Sequence, residues 1–234
     1  MSKSDQAMVI TGTSRGLGLQ LAETMLERGW WVFGCSRGPS DTKHERYQHF
    51  ELDVADEKAV AHMFAAVRKS GKQLFAVLNN AGTASMNHVL TTPLSTMHKL
   101  FSVNVFGTML CSREAAKLML KHGEGRIINF GSVAVAYALE GEAVYTASKA
   151  AVESYTKVLA REMGYHGITA NSVSPNPVKT DLIAGVPDDK MQRLVDRQSI
   201  KRYGEYEDVL RVVDFLLDEK NTFTTGQVIY LGGP

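Results

Sequence analysis

The chain has little that would let it be exported, cross-linked or embedded in a membrane. Two of its 234 residues are cysteines, Cys35 and Cys111, and both sit in apolar stretches that suit buried free thiols rather than a disulfide. That usage fits a reducing cytoplasm. No run of about 18 apolar residues occurs, and the polar opening Met1-Ser2-Lys3-Ser4-Asp5-Gln6 lacks a signal-like apolar stretch. Export and membrane spanning are therefore not expected. A surplus of one charge is also missing. Lys plus Arg number 26 against 25 Asp plus Glu, so no broad electrostatic case exists for a nucleic-acid or anionic-membrane partner, and any anion site must be local. The seven histidines are scattered, with no HxxxH or HExxH pair, and no metal site is expected.

Prolines number six, and three of them (Pro175, Pro177, Pro187) fall in one irregular stretch from Pro175 to about Arg202. Long loops of this kind often serve as lids. Leu182, Ile183, Val186, Met191 and Leu194 would either line a partly apolar pocket beneath it or pack the lid down. Elsewhere short apolar runs alternate with amphipathic segments, the pattern of βα units whose parallel strands are buried on both faces. Strands are expected at about 7–11, 30–36, 49–53, 74–79, 125–131, 168–174 and 227–231, and helices at 17–28, 56–70, 95–121, 144–164 and 205–218. This is a doubly wound α/β fold of about seven parallel strands with helices on both faces. No linker or repeat interrupts it, so residues 1–234 read as one domain.

The first strand runs into Thr11-Gly12-Thr13-Ser14-Arg15-Gly16-Leu17-Gly18 and then an amphipathic helix. A glycine-rich strand-to-helix turn lets backbone N–H groups and the positive end of a helix approach a pyrophosphate. The spacing is GxxxGxG, and alone it also describes a tight turn. At the end of the second strand, where dinucleotide enzymes read the adenosine ribose, an acid would select the 2′-hydroxyl. Here stands Ser36-Arg37, with Arg15 already in the glycine loop, and two guanidinium forks favour a 2′-phosphate and NADP(H) over NAD(H). Asp53, in Leu52-Asp53-Val54, could place a carboxylate near adenine or cap a helix, a task for which Asp56 competes. Asn79-Asn80-Ala81-Gly82 closes the fourth strand as an Asn-rich turn or as part of a ligand crevice.

Ser132, Tyr145 and Lys149 form the sharpest set. Tyr145 and Lys149 are i and i+4 near a helix start, and Ser132 ends the fifth strand. Each is commonplace alone. Converging on one crevice, they make an acid–base site for a carbonyl: the phenol supplies a proton, the ammonium lowers the phenol toward working pH, and the serine orients the oxygen.

Thr11-Gly12-x3-Gly16-x-Gly18, Asn79-Asn80-Ala81-Gly82, Asn104, Ser132, Tyr145-x3-Lys149 and Pro175-x2-Val178-x-Thr180 together resemble the compact short-chain dehydrogenase/reductase family, over essentially the whole chain. The resemblance implies a Rossmann-like fold. It makes Tyr145 the general acid or base, Ser132 the partner of the substrate carbonyl, and Lys149 both the activating cation and a ligand of the nicotinamide ribose. Asn104 would sit at a helix kink whose freed carbonyl holds a relay water. Gly12, Ser14, Arg15, Gly16 and Leu17 would lie at the pyrophosphate and 2′-phosphate, Asp53 and Val54 at adenine, Asn80 at the adenosine ribose, and Val178 and Thr180 around the nicotinamide. Gly18, Arg37, Ala81, Gly82 and Pro175 complete the expected cofactor contacts.

One departure is Pro175-Asn176-Pro177 where the family reads Pro-Gly. Asn tolerates positive φ, so the backbone course can survive, while the side chain could intrude on the substrate pocket. The expected activity is NADPH-dependent reduction of a ketone or 3-oxoacyl thioester, the substrate being a small molecule, free or bound to an acyl carrier protein. The ending Leu231-Gly232-Gly233-Pro234 looks most like 3-oxoacyl-(acyl-carrier-protein) reductases, with Arg126 and His166 at the positions where carrier-binding basic residues are expected. The alternatives are an NAD(H)-linked alcohol or sugar dehydrogenase and a non-catalytic NADP-binding regulatory protein. Family members pair the helices bearing Asn104 and Tyr145, so a homodimer or homotetramer is expected; Phe101, Val105, Met109, Ala151, Val152, Tyr155 and Leu159 suit either that pairing or simple packing on the sheet.

Overall fold

Buried apolar runs become the strands of a parallel sheet in the computed structural model, which describes residues 5–178 and 188–234. Strands β1 (Gln6–Thr11), β2 (Trp31–Ser36), β3 (Tyr47–Glu51), β4 (Gln73–Asn79), β5 (Gly125–Phe130), β6 (Ile168–Ser174) and β7 (Val228–Tyr230) lie in the order β3-β2-β1-β4-β5-β6-β7. Neighbours are parallel throughout. The chain returns to the sheet centre between β3 and β4, so β1 and β4 diverge at their carboxyl ends. Open α/β sheets bind ligands in such a crevice.

Alternation along β1 explains the two layers. Ala7 and Val9 face a core shared with α2 (Glu57–Lys69), α4 (Thr108–Met119) and α6 (Ala143–Met163). Met8 and Ile10 face the opposite core, shared with α1 (Gly16–Glu27) and α8 (Tyr206–Leu217). Two helix starts are set by acids. Asp56 accepts N–H bonds from Lys58 and Ala59 at 2.9 and 3.1 Å and caps α2. Glu205 and Asp208 form a capping box at α8, where the Arg202 fork at 2.6 and 2.8 Å holds the Asp208 carboxyl down to about 2.

Four elements differ from the sequence expectation. β3 begins two residues early because its register is set by β2, with Val32 opposite Tyr47 and Ser36 opposite Glu51, so Asp53 lies beyond the strand. The helix expected at 95–121 is three pieces: α3 (Leu94–Phe101), a π-helical segment (Ser102–Gly107) and α4. A short α5 (Ala134–Tyr137) follows Ser132. The stretch read as an irregular loop contains α7 (Asp188–Arg197), which buries Met191, Leu194 and Val195 and carries Asp189–Arg193 and Gln192–Asp196 bonds of 2.8 and 2.9 Å. Both pairs span one helical turn. Among the described residues no helix is long and apolar enough to cross a membrane, and Cys35 and Cys111 are buried free thiols.

Candidate active site

A cleft of about 1220 Å³ opens at the carboxyl edge of the sheet. At one end its wall holds Ser36, Arg37 and Asp53; at the other, Ser132, Tyr145 and Lys149. Between them lie Gly12, Ser14, Arg15, Gly16 and Leu17 from the β1–α1 turn, Val54, and Asn80, Ala81 and Gly82 after β4, with Pro175 and Val178 after β6. The structure thus gathers nearly all the expected contacts along one surface. Thr180 lies outside the described residues, as do Leu182, Ile183 and Val186.

The glycine turn is built for close approach. Gly12 has φ +79°, and its carbonyl lies so near Gly18 that a Cβ there would stand 2.2 Å from it. Gly18 is therefore buried beneath the turn rather than in the cleft wall, and its work is backbone packing. Asn80 Nδ2 donates to Thr11 O at 3.0 Å, and Ala81 N–H donates to Thr11 Oγ1 at 2.9 Å, so the β1 and β4 loops hold one another. No side chain caps the start of α1, which leaves its first N–H groups aimed at the cleft. Asn79 points elsewhere: its Nδ2 donates to Ser112 Oγ and Asn129 Oδ1, both at 2.8 Å, inside the core.

At the adenosine end, Arg37 follows Ser36, whose hydroxyl donates to Gly38 O at 2.8 Å and lies 3.1 Å from His49 Nε2. His49 Nδ1 is 3.0 Å from Tyr47 Oη, which donates to Thr13 Oγ1 at 2.9 Å. Sequence reading missed this bracing, because His49 and Tyr47 come from β3 and meet the loop only through strand pairing. Asp53 lines the cleft while Oδ1 accepts the Ala55 N–H at 2.9 Å; Asp56, not Asp53, is the helix cap.

Tyr145 and Lys149 emerge from one face of α6, both buried. Lys149 Nζ donates to Phe130 O at 2.8 Å and lies 5.9 Å from the Tyr145 ring centre. Burial pushes the Tyr145 phenol up to about 12, partly offset by its bond to Ser132 and reinforced by Glu142. Burial pulls Lys149 down to about 8, opposed by Glu153. The direction at Tyr145 is opposite to the lowering expected from Lys149, because desolvation of the buried phenol dominates. Ser132 Oγ accepts the Ala134 N–H at 3.1 Å, which leaves its own proton for donation.

Asn104 stands behind the wall in the π-helical segment. Its Oδ1 accepts the Thr83 N–H at 2.8 Å, and its Nδ2 donates to Thr83 O and Ser148 Oγ at 2.9 and 3.0 Å. The kink expected from the family pattern is this π segment, and the Asn104 carbonyl accepts Thr108 Oγ1 at 2.8 Å. Gly82 lies between Asn104 and Lys149, where a Cβ would stand 3.5 Å from each polar head.

Three sequence expectations near the substrate end are corrected. Asn176 is not at positive φ; it lines the cleft, and its side-chain amide is tied down by donating to Leu231 O just after β7. Arg126 is 2% exposed, bonded to Gly125 O, Asp218 O and Glu219 O and set 5.1 Å from the Phe75 ring, far from any entrance role. Met191 and Leu194 do face the cleft, but from α7 rather than from a loop. Lining residues that sequence reading missed include Met86, Tyr137, Glu142 and Arg197, whose guanidinium stacks 4.7 Å from the Tyr137 ring. Among the described residues no group of three His, Cys, Asp or Glu stands together to hold a metal ion.

The family model described as enoyl-(acyl carrier protein) reductase matches residues 12–233. A short-chain type dehydrogenase/reductase of Picea abies is 35% identical, covering 96% of this chain and 90% of its own. The 3-oxoacyl-(acyl-carrier-protein) reductase FabG of Staphylococcus aureus is 30% identical, covering 99% and 98%. Among solved structures, ElxO with NADP bound superposes with a TM-score of 0.88 at 28% identity, covering 97% of each chain. A 4-hydroxyisoleucine dehydrogenase complexed with NADH superposes at 0.87 over 97% of each chain, at 24% identity, and shares the fold. The chain is an oxidoreductase of the short-chain dehydrogenase/reductase family, a family that works with nicotinamide cofactors.

Proposed function

We propose that the protein is an NADPH-dependent carbonyl reductase acting on a ketone or 3-oxoacyl thioester, free or carried by an acyl carrier protein. The observation that carries this reading is the buried Tyr145–Lys149 pair opening, with Ser132, onto the same cleft as the glycine turn. The residues fit the cofactor: the Gly12 turn admits a pyrophosphate at the uncapped start of α1, and Arg15 from that turn and Arg37 after β2 both line the cleft, where they could take a 2′-phosphate. Val54 and Asp53 would flank adenine, Asn80 the adenosine ribose, and Pro175 and Val178 the nicotinamide.

When bound, the nicotinamide supplies the hydride. Ser132 donates to the substrate oxygen and fixes its position. Tyr145, held protonated by burial, delivers its proton to the oxygen as negative charge develops there. Lys149, anchored on Phe130 O, offers its remaining protons to the cleft, and Asn104 holds Thr83 and Ser148 in place behind it. The whole chain acts as one domain in this reading, in the cytoplasm. Self-association through the π segment and α6 belongs to it as well, although Val105, Val152 and Leu159 are buried within the chain and the exposed apolar groups there are Phe106 and Val158, at 54% and 52%. Light scattering is expected to give a dimer or tetramer mass; a monomer mass removes that part.

Cofactor choice is tested by titrating NADPH and NADH against wild type and Arg37→Ala. Wild type is expected to bind NADPH more tightly, and the variant to weaken NADPH by about tenfold or more with little change for NADH, as for a lost charge-assisted phosphate contact. Equal weakening of both, or an NADH preference in wild type, favours the NAD-linked dehydrogenase instead.

A further inference from the structure

Glu153 is a buried carboxylate that the mechanism above does not use. It lies one turn beyond Lys149 on α6, as Lys149 lies one turn beyond Tyr145, and it is 6% exposed. A carboxylate taken out of water is costly unless hydrogen-bonded or paired. Here Oε1 accepts the Ser174 hydroxyl at 2.9 Å and Oε2 accepts the Tyr230 hydroxyl at 2.8 Å. Both donors are neutral, so they satisfy the oxygens without cancelling the charge. Gly131 approaches so closely that a Cβ there would stand 2.8 Å from Oε1, which closes the pocket to bulk water on the β5 side.

The titratable groups facing this carboxylate are Lys149 on its own helix and Tyr230 from β7. From β6 it meets Ser174, and after β5 Gly131, neither of which titrates. Tyr230 is pushed well above the ordinary phenol range by burial and by the carboxylate, so it remains a donor. The Lys149 ammonium, for its part, has one backbone carbonyl as partner and is held in the interior against desolvation.

We propose that Glu153 is a positioning residue of the site: its buried carboxylate, oriented by Ser174 and Tyr230, keeps Lys149 in the ammonium form and so ties the charge at the cleft to the docking of β7. The consequence for turnover rests on the reductase reading above; the consequence for Lys149 does not. Burial alone drives Lys149 down, and the Glu153 charge is the influence that opposes it. Removing that charge lets the lysine lose its proton at lower pH.

The test follows the Lys149 side chain directly by NMR of protein carrying ¹³Cε-lysine, the Lys149 signal being the one missing from Lys149→Met. In wild type it is expected to titrate near 8. In Glu153→Gln the midpoint is expected to fall by about one unit or more. Glu153→Asp, which keeps the charge but retracts it, gives a smaller shift of the same sign and supplies the reading if the Gln variant does not fold. The alkaline limb of NADPH-dependent turnover moves down by the same amount. A carboxylate that only ties α6 to β6 and β7 would lower the melting temperature and the amplitude of turnover while leaving midpoint and limb unmoved, and that result overturns the proposal. A shifted midpoint in a protein that reduces no carbonyl overturns the reductase reading alone; an active enzyme with an unshifted midpoint overturns this inference alone.

Discussion

Tyr145→Phe is expected to lower NADPH-dependent carbonyl turnover by about 10²–10⁴-fold, the usual contribution of a positioned acid, while NADPH binding and melting temperature stay near wild type. The ring packs against Leu100 and Ala134, and Phe fills the same volume, so what disappears is the proton and one bond to Ser132. Burial keeps the phenol protonated up to about 12, so in wild type the proton is in place wherever the protein is folded near neutrality. The measurement compares the two proteins by NADPH absorbance across 3-oxoacyl thioesters, small ketones, quinones and keto sugars. Retained turnover in the variant would move the acid role to another group. Tight NADPH binding by a wild type that turns over no member of the panel would favour a regulatory binding protein.

The second large effect is on stability. Phe75→Ala is expected to cost about 3–5 kcal/mol, which for a chain of this size lowers the melting temperature by roughly 6–20 °C. Phe75 is fully buried on β4, its ring 5.7 Å from that of Trp30 on one side and 5.1 Å from the Arg126 guanidinium on the other. Truncation leaves a cavity in the α1–α8 layer and strips a buried cation of its aromatic face. Thermal unfolding followed by circular dichroism reads the loss; a fall below about 1 kcal/mol would mean that the layer closes over the gap. β4 leads directly to Asn80, Ala81 and Gly82, so the loosened strand is also expected to weaken nucleotide binding.

Much of this architecture was legible because apolar alternation and strand-ending motifs carry it. The glycine turn, the Asn80-Ala81-Gly82 run and Tyr145-x3-Lys149 meet at one edge simply because parallel strands put all their carboxyl ends there. What escaped sequence reading depends on pairing partners distant in the chain. β3 slid by two residues because β2 dictates its register, and that slide is what brings Tyr47 and His49 under the Arg37 turn. Arg126 reads as a surface cation until the Asp218 and Glu219 carbonyls, over ninety residues away, close on it. The helix α7 was missed although Met191, Leu194 and Val195 have helical spacing, because the prolines before it dominated the reading. Burial raises the Tyr145 phenol where its nearness to Lys149 suggested a lowering, since adjacency on a helix says nothing about how much water either group keeps.

The π-helical turn at Ser102–Gly107 acts as a phase-setting spacer. A regular helix advances about 100° per residue, so the extra residue rotates everything before it by that angle relative to everything after it. Leu100 can therefore pack against Tyr145 while Cys111, Ala115 and Met119 pack into the sheet, two directions that an uninterrupted α-helix would not serve together. A shortened variant lacking one residue of the segment would gain a better hydrogen-bond ladder yet lose that double aim, and Asn104 would swing away from Thr83. Local helical perfection and the aiming of the cleft wall are in conflict here, and the fold has settled it in favour of aim.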